Sequence, residues 1–180
     1  DILSRVNLEQ FVKKQDTMLQ QLGQESYITI PTGIYIEEME FVDSYNLNIG
    51  GVIWQKYRNE VLEKYDPGYY MPQISPFAEA AYSELISTDS TADHTLFTWK
   101  FRNTFRMHFD YSKFPFDVRE VSLQMLYPTA NNVMLVPDLD SYKVMEPRLR
   151  PAINSDVVLP TAKIVLSNFS FTFRNYRTSF

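Results

Sequence analysis

The sequence predicts an all-β protein, an antiparallel immunoglobulin-like β-sandwich preceded by an N-terminal amphipathic helix. The 180 residues include 13 Phe and 12 Tyr, and both residue types favour strands. Apolar and polar side chains alternate in several short segments, as they do in strands with one buried face. Turn signals separate these segments, and strands do not alternate with helices, which is typical of a sandwich.

The first element is a helix over residues 3–22. One of its faces carries side chains at helical spacing, all apolar except Gln15. They are Leu8, Val12, Gln15, Leu19 and Leu22. Gly23 follows, where helices commonly end. The helix either packs on the domain or is the end of a longer helix from an upstream domain. We therefore divide the chain into a helix and linker, residues 1–26, and a β-sandwich ligand-binding domain, residues 27–180.

Two strands follow, over residues 27–36 and 47–57, with a turn signal between them at Asp43-Ser44-Tyr45-Asn46. The pair Gly50-Gly51 inside the second strand predicts a bulge or a close backbone contact. A short helix is then expected over residues 76–86, and a polar loop over residues 87–93.

The clearest alternation lies between residues 99 and 109. It predicts a strand whose buried set is Trp99, Phe101, Asn103, Phe105, Met107 and Phe109. The expected partner strand is the alternating segment 121–127, and the last strand is expected over residues 166–174.

Composition excludes several classes of protein. The chain has no Cys, so it has no disulfide, thiolate zinc site or cysteine nucleophile. Its formal net charge of −5 disfavours a nucleic-acid partner. No apolar run reaches the roughly 18 residues of a membrane span. The first residues lack the apolar segment of a signal peptide and do not begin with Met, so we expect an excised or processed piece.

No motif points to catalysis. The two histidines, His94 in a polar segment and His108 on a strand, belong to no recognisable catalytic pattern. His94 beside Asp93 could hold a metal, but a solvated loop histidine is the expected state. The acids Glu37, Glu38 and Glu40 are expected to be surface charges. We therefore predict no enzyme activity, no cofactor and no metal site.

Four separated segments resemble the extracellular ligand-binding domain of the pentameric ligand-gated ion channels, the Cys-loop receptor superfamily, in its bacterial form. The most specific is a connector with the core Phe114-Pro115-Phe116-Asp117. Met107 and Val121 stand where animal members carry the paired cysteines, and bacterial members likewise lack that disulfide. The other segments are Thr32–Ile36 with Tyr57–Leu62, then Tyr70–Ile74, and finally Phe173–Tyr176.

This resemblance implies a domain on the extracytoplasmic (periplasmic) face of the cell membrane. It would bind a small molecule between subunits of a homopentamer and transmit the signal to a transmembrane domain that follows Phe180. An upstream N-terminal domain is also expected. The ligand-site positions implied are Trp54, Phe77 and Tyr127. The implied coupling positions are Asp43, Pro115, Phe116, Asp117 and Arg174.

Plain structural roles compete with these assignments. Asp43 could cap its turn, Asp117 could accept from backbone amides, and most aromatic side chains could belong to the core. Two other functions also stay open. One is a periplasmic β-sandwich sensor domain of a membrane receptor with a kinase or cyclase output, on a single membrane helix. The other is an adhesive or structural sandwich without a small ligand.

Overall fold

The chain is mostly β-sheet with an N-terminal helix, in a computed structural model that describes residues 5–75, 82–109, 120–129, 132–145, 152–159 and 162–171. The helices are α1 Arg5–Gln21, α2 Asn59–Leu62 and α3 Leu139–Met145. The strands are β1 Ile28–Phe41, β2 Asn46–Arg58, β3 Tyr82–Ser90, β4 His94–Arg106 and β5 Val133–Pro137. The β character and the N-terminal helix are therefore as predicted.

The five strands form one sheet in the order β3-β4-β2-β1-β5. The pairs β1–β2, β2–β4 and β3–β4 are antiparallel. The pair β1–β5 is parallel, with Ile28 opposite Val133 and Thr32 opposite Pro137. The described sheet is thus mixed, whereas the sequence analysis expected antiparallel pairs throughout. A parallel neighbour is possible here because the long connection between β4 and β5 can return the chain to the starting end of β1.

The glycine pair in β2 lies opposite an irregularity in β1. The register shifts between Ile36 and Glu38, which face Gly51 and Gly50. A Cβ atom on Gly51 would lie 2.0 Å from the backbone oxygen of Tyr35, so only glycine fits without a shift of the backbone. The close backbone contact predicted for the glycine pair is confirmed, and the irregularity lies in β1 opposite the pair rather than in β2.

Three predicted elements differ from the structure. Residues 82–90 form strand β3 rather than the end of a helix and a polar loop, because ladder hydrogen bonds to β4 hold this segment extended. Residues 121–127 do not pair with β4, which lies between β2 and β3. Their described backbone pairing is an isolated bridge between Leu126 and Tyr70. Residues 166–171, the described part of the expected last strand, form no regular strand.

The core lies against one face of the sheet, which we call the core face. Leu47, Ile49 and Ile53 of β2 are fully buried there, together with Phe101 and Phe105 of β4. The alternation that predicted β4 is confirmed. A second cluster extends the core and consists of Ile30, Tyr57, Val61, Tyr65 and Val133. The covering side chains on the first cluster include Tyr69, Met71, Ile74, Val121, Leu123 and Met125.

The opposite face of the sheet, the outer face, is mostly polar. Glu38 of β1 and Arg102 of β4 form an ion pair at 3.1 Å, and Glu37 lies 4.0 Å from Lys100. The acids at 37, 38 and 40 are exposed, as predicted. The exception is a buried patch around Trp54, which is the part of this face covered by α3.

Candidate functional site

Trp54 lies on the outer face of β2 and is only 7% exposed. Its register partner on β1 is Gly33, and a Cβ atom there would come within 2.0 Å of the indole ring. The indole ring therefore occupies the space beside Gly33 that a side chain would need. Tyr142 of α3 packs on it with ring centroids 5.4 Å apart. Ala152 completes the buried cluster.

A carboxylate joins this cluster from the residue just before α3. Asp138 Oδ2 accepts hydrogen bonds from Trp54 Nε1 at 2.9 Å and from Ser141 Oγ at 2.5 Å. Lys56 Nζ lies 2.8 Å from the same oxygen and also donates to Ser141 Oγ at 3.0 Å. Asp138 is only 5% exposed, so these donors replace the water that a buried charge needs. We call Trp54, Lys56, Asp138 and Ser141 the Asp138 network.

The network keeps Asp138 ionised. Burial raises the pKa of this carboxyl, but the hydrogen bonds from Lys56, Ser141 and Trp54 and the Lys56 charge outweigh burial, and the net pKa lies below its ordinary value. Tyr142 differs, because burial is the main cause that raises the pKa of its phenol. That hydroxyl donates to the backbone oxygen of Ile34 at 2.8 Å and accepts from Ile34 N–H at 2.6 Å.

Sequence reasoning found Trp54 but missed the rest of this network. Asp138 follows a strand and precedes a helix, and a start signal for α3 could have been read there. Nothing in the local sequence indicates that its carboxylate meets Trp54, because the two residues are 84 positions apart.

Tyr127, a second predicted ligand residue, lies with the core-face cluster that contains Tyr57. Its hydroxyl donates to the backbone oxygen of Asp66 at 2.8 Å, and its ring lies 6.2 Å from that of Tyr65. Burial is the main cause that raises its pKa. Trp54 and Tyr127 are therefore on opposite faces of the sheet within one chain. Phe77, the third predicted ligand residue, lies outside the described residues.

Asp43 lies in the turn between β1 and β2. Its carboxylate accepts from the backbone N–H of Tyr45 at 2.7 Å and of Asn46 at 2.8 Å, and from Asn46 Nδ2 at 2.7 Å. The Asn46 side chain is the main cause that lowers the pKa of Asp43. Asp43 thus caps its turn, which is one of the two roles expected. The other predicted coupling positions lie outside the described residues, namely Pro115, Phe116, Asp117 and Arg174.

The same turn contacts the beginning of the predicted connector. The backbone N–H of Met107 donates to the oxygen of Tyr45 at 2.7 Å. Met107 is 8% exposed, and Val121, at the far end of the connector, packs against the same core cluster. Met107 and Val121 therefore share one apolar environment.

A groove of about 400 Å³ lies between α1 and the β1–β5 edge. Apolar side chains of Leu8, Val12 and Val136 line it, together with the carboxyl-bearing residues Glu9, Asp16, Asp138 and Asp140.

Within the described part of the chain, no group of three or more metal-ligating side chains comes together. His94 instead hydrogen-bonds Thr91 Oγ1 through Nδ1 at 3.1 Å, at the turn before β4.

Comparison with known proteins adds no family. No protein-family model matches the chain, and no curated protein sequence matches it. Among the described residues, no helix is both long and apolar enough to cross a membrane.

Proposed function

We propose that this chain is the extracellular ligand-sensing domain of a bacterial pentameric ligand-gated ion channel. It binds a small molecule between neighbouring subunits of a homopentamer and acts by binding rather than by catalysis. Its complete fold is an immunoglobulin-like β-sandwich on the extracytoplasmic side of the membrane. The connector and the β1–β2 turn pass motion to a transmembrane pore.

The observation that carries this proposal is the contact between the β1–β2 turn and the connector. The 2.7 Å hydrogen bond from Met107 to Tyr45 brings the start of the connector to the turn that contains Asp43. The charge of Arg106, one residue earlier, adds to the hydrogen bonds of Asn46 and Tyr45 in lowering the pKa of Asp43. In the family that the sequence resembles, these two loops lie side by side against the membrane domain.

Segments that pack over the core face support the proposed sandwich. Tyr70 and Leu126 exchange backbone hydrogen bonds of 2.8 and 2.9 Å. Gln73 ties the same segments together, because its Nε2 donates to Ser122 O at 2.6 Å and its Oε1 accepts from Gln124 N–H at 2.8 Å. Two segments distant in sequence thus pair with each other, and side chains of both pack on the core cluster, as the second layer of a sandwich would.

The test is the architecture of the full-length gene product that contains this chain. We expect particles purified in mild detergent to be pentamers with five-fold symmetry by electron microscopy. We also expect them to give single-channel currents in planar bilayers. A dimer with one membrane helix per subunit would contradict the proposal and favour a receptor with a kinase or cyclase output. A monomer without conductance would favour an adhesive or structural domain.

A further inference from the structure

A depression of about 340 Å³ lies on the outer face of the sheet, above the glycine pair of β2. Two carboxylates of β1 line one side of it, Glu37 and Glu38, and two cations of β4 line the other, Lys100 and Arg102. Small-molecule sites have volumes of roughly 300–1,000 Å³. This outer-face depression is thus large enough for a small ligand and carries opposite charges on its two sides.

The one-residue bulge in β1 brings both carboxylates to the same face. Consecutive residues of a regular strand point to opposite faces, but Glu37 is the extra residue at the register shift between Ile36 and Glu38. Glu38 Oε1 lies 3.1 Å from Arg102 Nε. Glu37 Oε2 lies 4.0 Å from Lys100 Nζ. Both carboxylates therefore reach the outer face, and bulges re-aim side chains in this way beside active sites.

The two ion pairs span a strand instead of joining neighbouring strands. β2 lies between β1 and β4, and Gly50 is the register partner of both Glu38 and Arg102. A Cβ atom on Gly50 would collide with the Glu38 side chain, so this pair closes over β2 because glycine is there. All four charged side chains are between 41% and 57% exposed. Exposed ion pairs contribute little to stability, so a ligand can separate them at small cost.

Both cations keep hydrogen-bond donors for a ligand. The ammonium of Lys100 has three donors, and its distance of 4.0 Å from Glu37 is too long for a hydrogen bond. The guanidinium of Arg102 has five donors, of which the Nε–H faces Glu38. Tyr82 of β3 lines the same depression and is the register partner of Arg102, so its ring is available to the apolar part of a ligand.

We infer that the outer-face depression binds a small zwitterion, a molecule with one ammonium and one carboxylate such as a free amino acid. The ligand ammonium lies between Glu37 and Glu38, and the ligand carboxylate accepts from Lys100 and Arg102. A simple anion would be repelled by the carboxylates and a simple cation by the basic side chains, whereas a zwitterion complements both sides. The site is formed within one chain, so it does not depend on assembly of the proposed pentamer.

The experiment is a titration of the isotope-labelled 180-residue chain with free glycine, followed through amide chemical shifts by NMR. We expect saturable shifts at Gly50, Gly51 and Arg102, with a Kd in the millimolar range because the charges are exposed to water and salt. Methylamine and acetate each carry one of the two charges. At equal ionic strength, each should bind at least about tenfold more weakly than glycine.

Two charge-removing variants test the two sides of the depression separately. Glu37→Gln and Lys100→Gln should each weaken glycine binding by about tenfold, since each removes one of the two charges that face one end of the ligand. Glu25→Gln and Lys14→Gln remove the same charges at exposed positions elsewhere in the chain, and they should leave the affinity unchanged.

Three results would overturn the inference. Absence of saturable shifts around the glycine pair would show that the unmodified chain has no such site, and this measurement requires no variant to fold. An affinity for acetate equal to that for glycine would indicate an anion site instead. An affinity for methylamine equal to that for glycine would indicate a cation site instead.

Discussion

Two glycines on adjacent strands determine how closely β1 and β2 approach one another and what lies across them. Gly33 leaves room for the indole of Trp54, and Gly51 leaves room for the backbone oxygen of Tyr35. A side chain at Gly33 would displace a ring, whereas one at Gly51 would meet backbone, which cannot rotate away. The two positions therefore differ in what a substitution disturbs, the site in one case and the sheet in the other.

The substitution Gly51→Ala should lower the free energy of unfolding by about 2–3 kcal/mol, because the new Cβ atom forces the paired backbones apart at the bulge. Urea denaturation followed by circular dichroism measures this. Gly68→Ala is the matched control, since its nearest atom would be Pro128 Cγ at 3.8 Å, an ordinary contact. Equal stability of the two variants would show that the bulge tolerates a side chain.

Asp138 should make the free energy of unfolding decrease as the pH falls into the acid range. Its pKa is lowered in the folded chain, so its stabilising contribution is fully present above the unfolded value of about 3.9 and is lost as pH falls through the folded value. Comparison of thermal unfolding between pH 6 and pH 2.5 should show a steeper acid loss for the wild type than for Asp138→Asn. Unfolding temperatures that fall equally with pH in the two proteins would contradict this prediction. The two proteins differ only at Asp138, so the difference between their pH curves reports that carboxyl alone. Both proteins keep the charged or titratable groups nearby, which are Lys56, Tyr142, Asp140, Glu9, Lys13 and Asp16.

At the scale of elements, the strands with alternating side chains could be predicted from sequence. β4 buries one side of the sheet over much of its length, so a period of two appears directly in the residue types. β3 could not be predicted in this way. Eight of its nine residues are exposed, so no buried face leaves a pattern. Pairing with β4 overrides the helix that was expected over residues 82–86.

Helix α3 and the candidate site show a different limit of sequence reasoning. The role of Trp54 depends on Asp138 and Tyr142, which reach it only after β5 has paired with β1. Such contacts are set by the sheet order rather than by local spacing. An aromatic residue on a strand could be noticed in the sequence, but the carboxylate and the helix that cover it could not be assigned to it.

The left-handed backbone of Ala152, which follows α3 in the chain, gives a test at the scale of elements. Ala152→Val should destabilise the chain by about 2–3 kcal/mol, since a β-branched side chain disfavours a φ of 71° and the site is buried. Ala152→Gly should leave stability nearly unchanged, because relief of strain offsets the added flexibility of the unfolded chain. Unfolding of both variants in guanidinium measures these free energies. A valine variant as stable as the glycine variant would show that the backbone is not strained there.

At the scale of the whole molecule, one buried amide joins the sheet to the segment after α2. Gln55 is fully buried on the core face, between the two apolar clusters. Its Nε2 donates to Gly68 O at 3.0 Å, and its Oε1 accepts from Gly68 N–H at 3.0 Å and from Tyr57 OH at 3.1 Å. This polar group fixes the position of the segment after α2 relative to the sheet.

Replacing Gln55 by Leu should therefore destabilise the molecule by about 2–4 kcal/mol despite the gain in apolar surface, because the partly buried backbone groups of Gly68 lose their partners. We expect a lower urea midpoint with an unchanged slope. Gln20→Leu, on an exposed position of α1, should change stability by no more than about 0.5 kcal/mol. A stabilised Gln55→Leu variant would show that apolar packing outweighs the lost hydrogen bonds.

The parallel pairing of β1 with β5 has a consequence for biosynthesis. Strands β1 to β4 are complete in the nascent chain well before Val133 leaves the ribosome. Until then, the edge of β1 that includes Ile28 and Ile30 has no β5 to pair with. Unpaired strand edges recruit other chains, and contacts distant in sequence form slowly. Newly made copies are therefore most prone to aggregate in this interval, and a chaperone that shields the edge of β1 would raise the yield of folded protein.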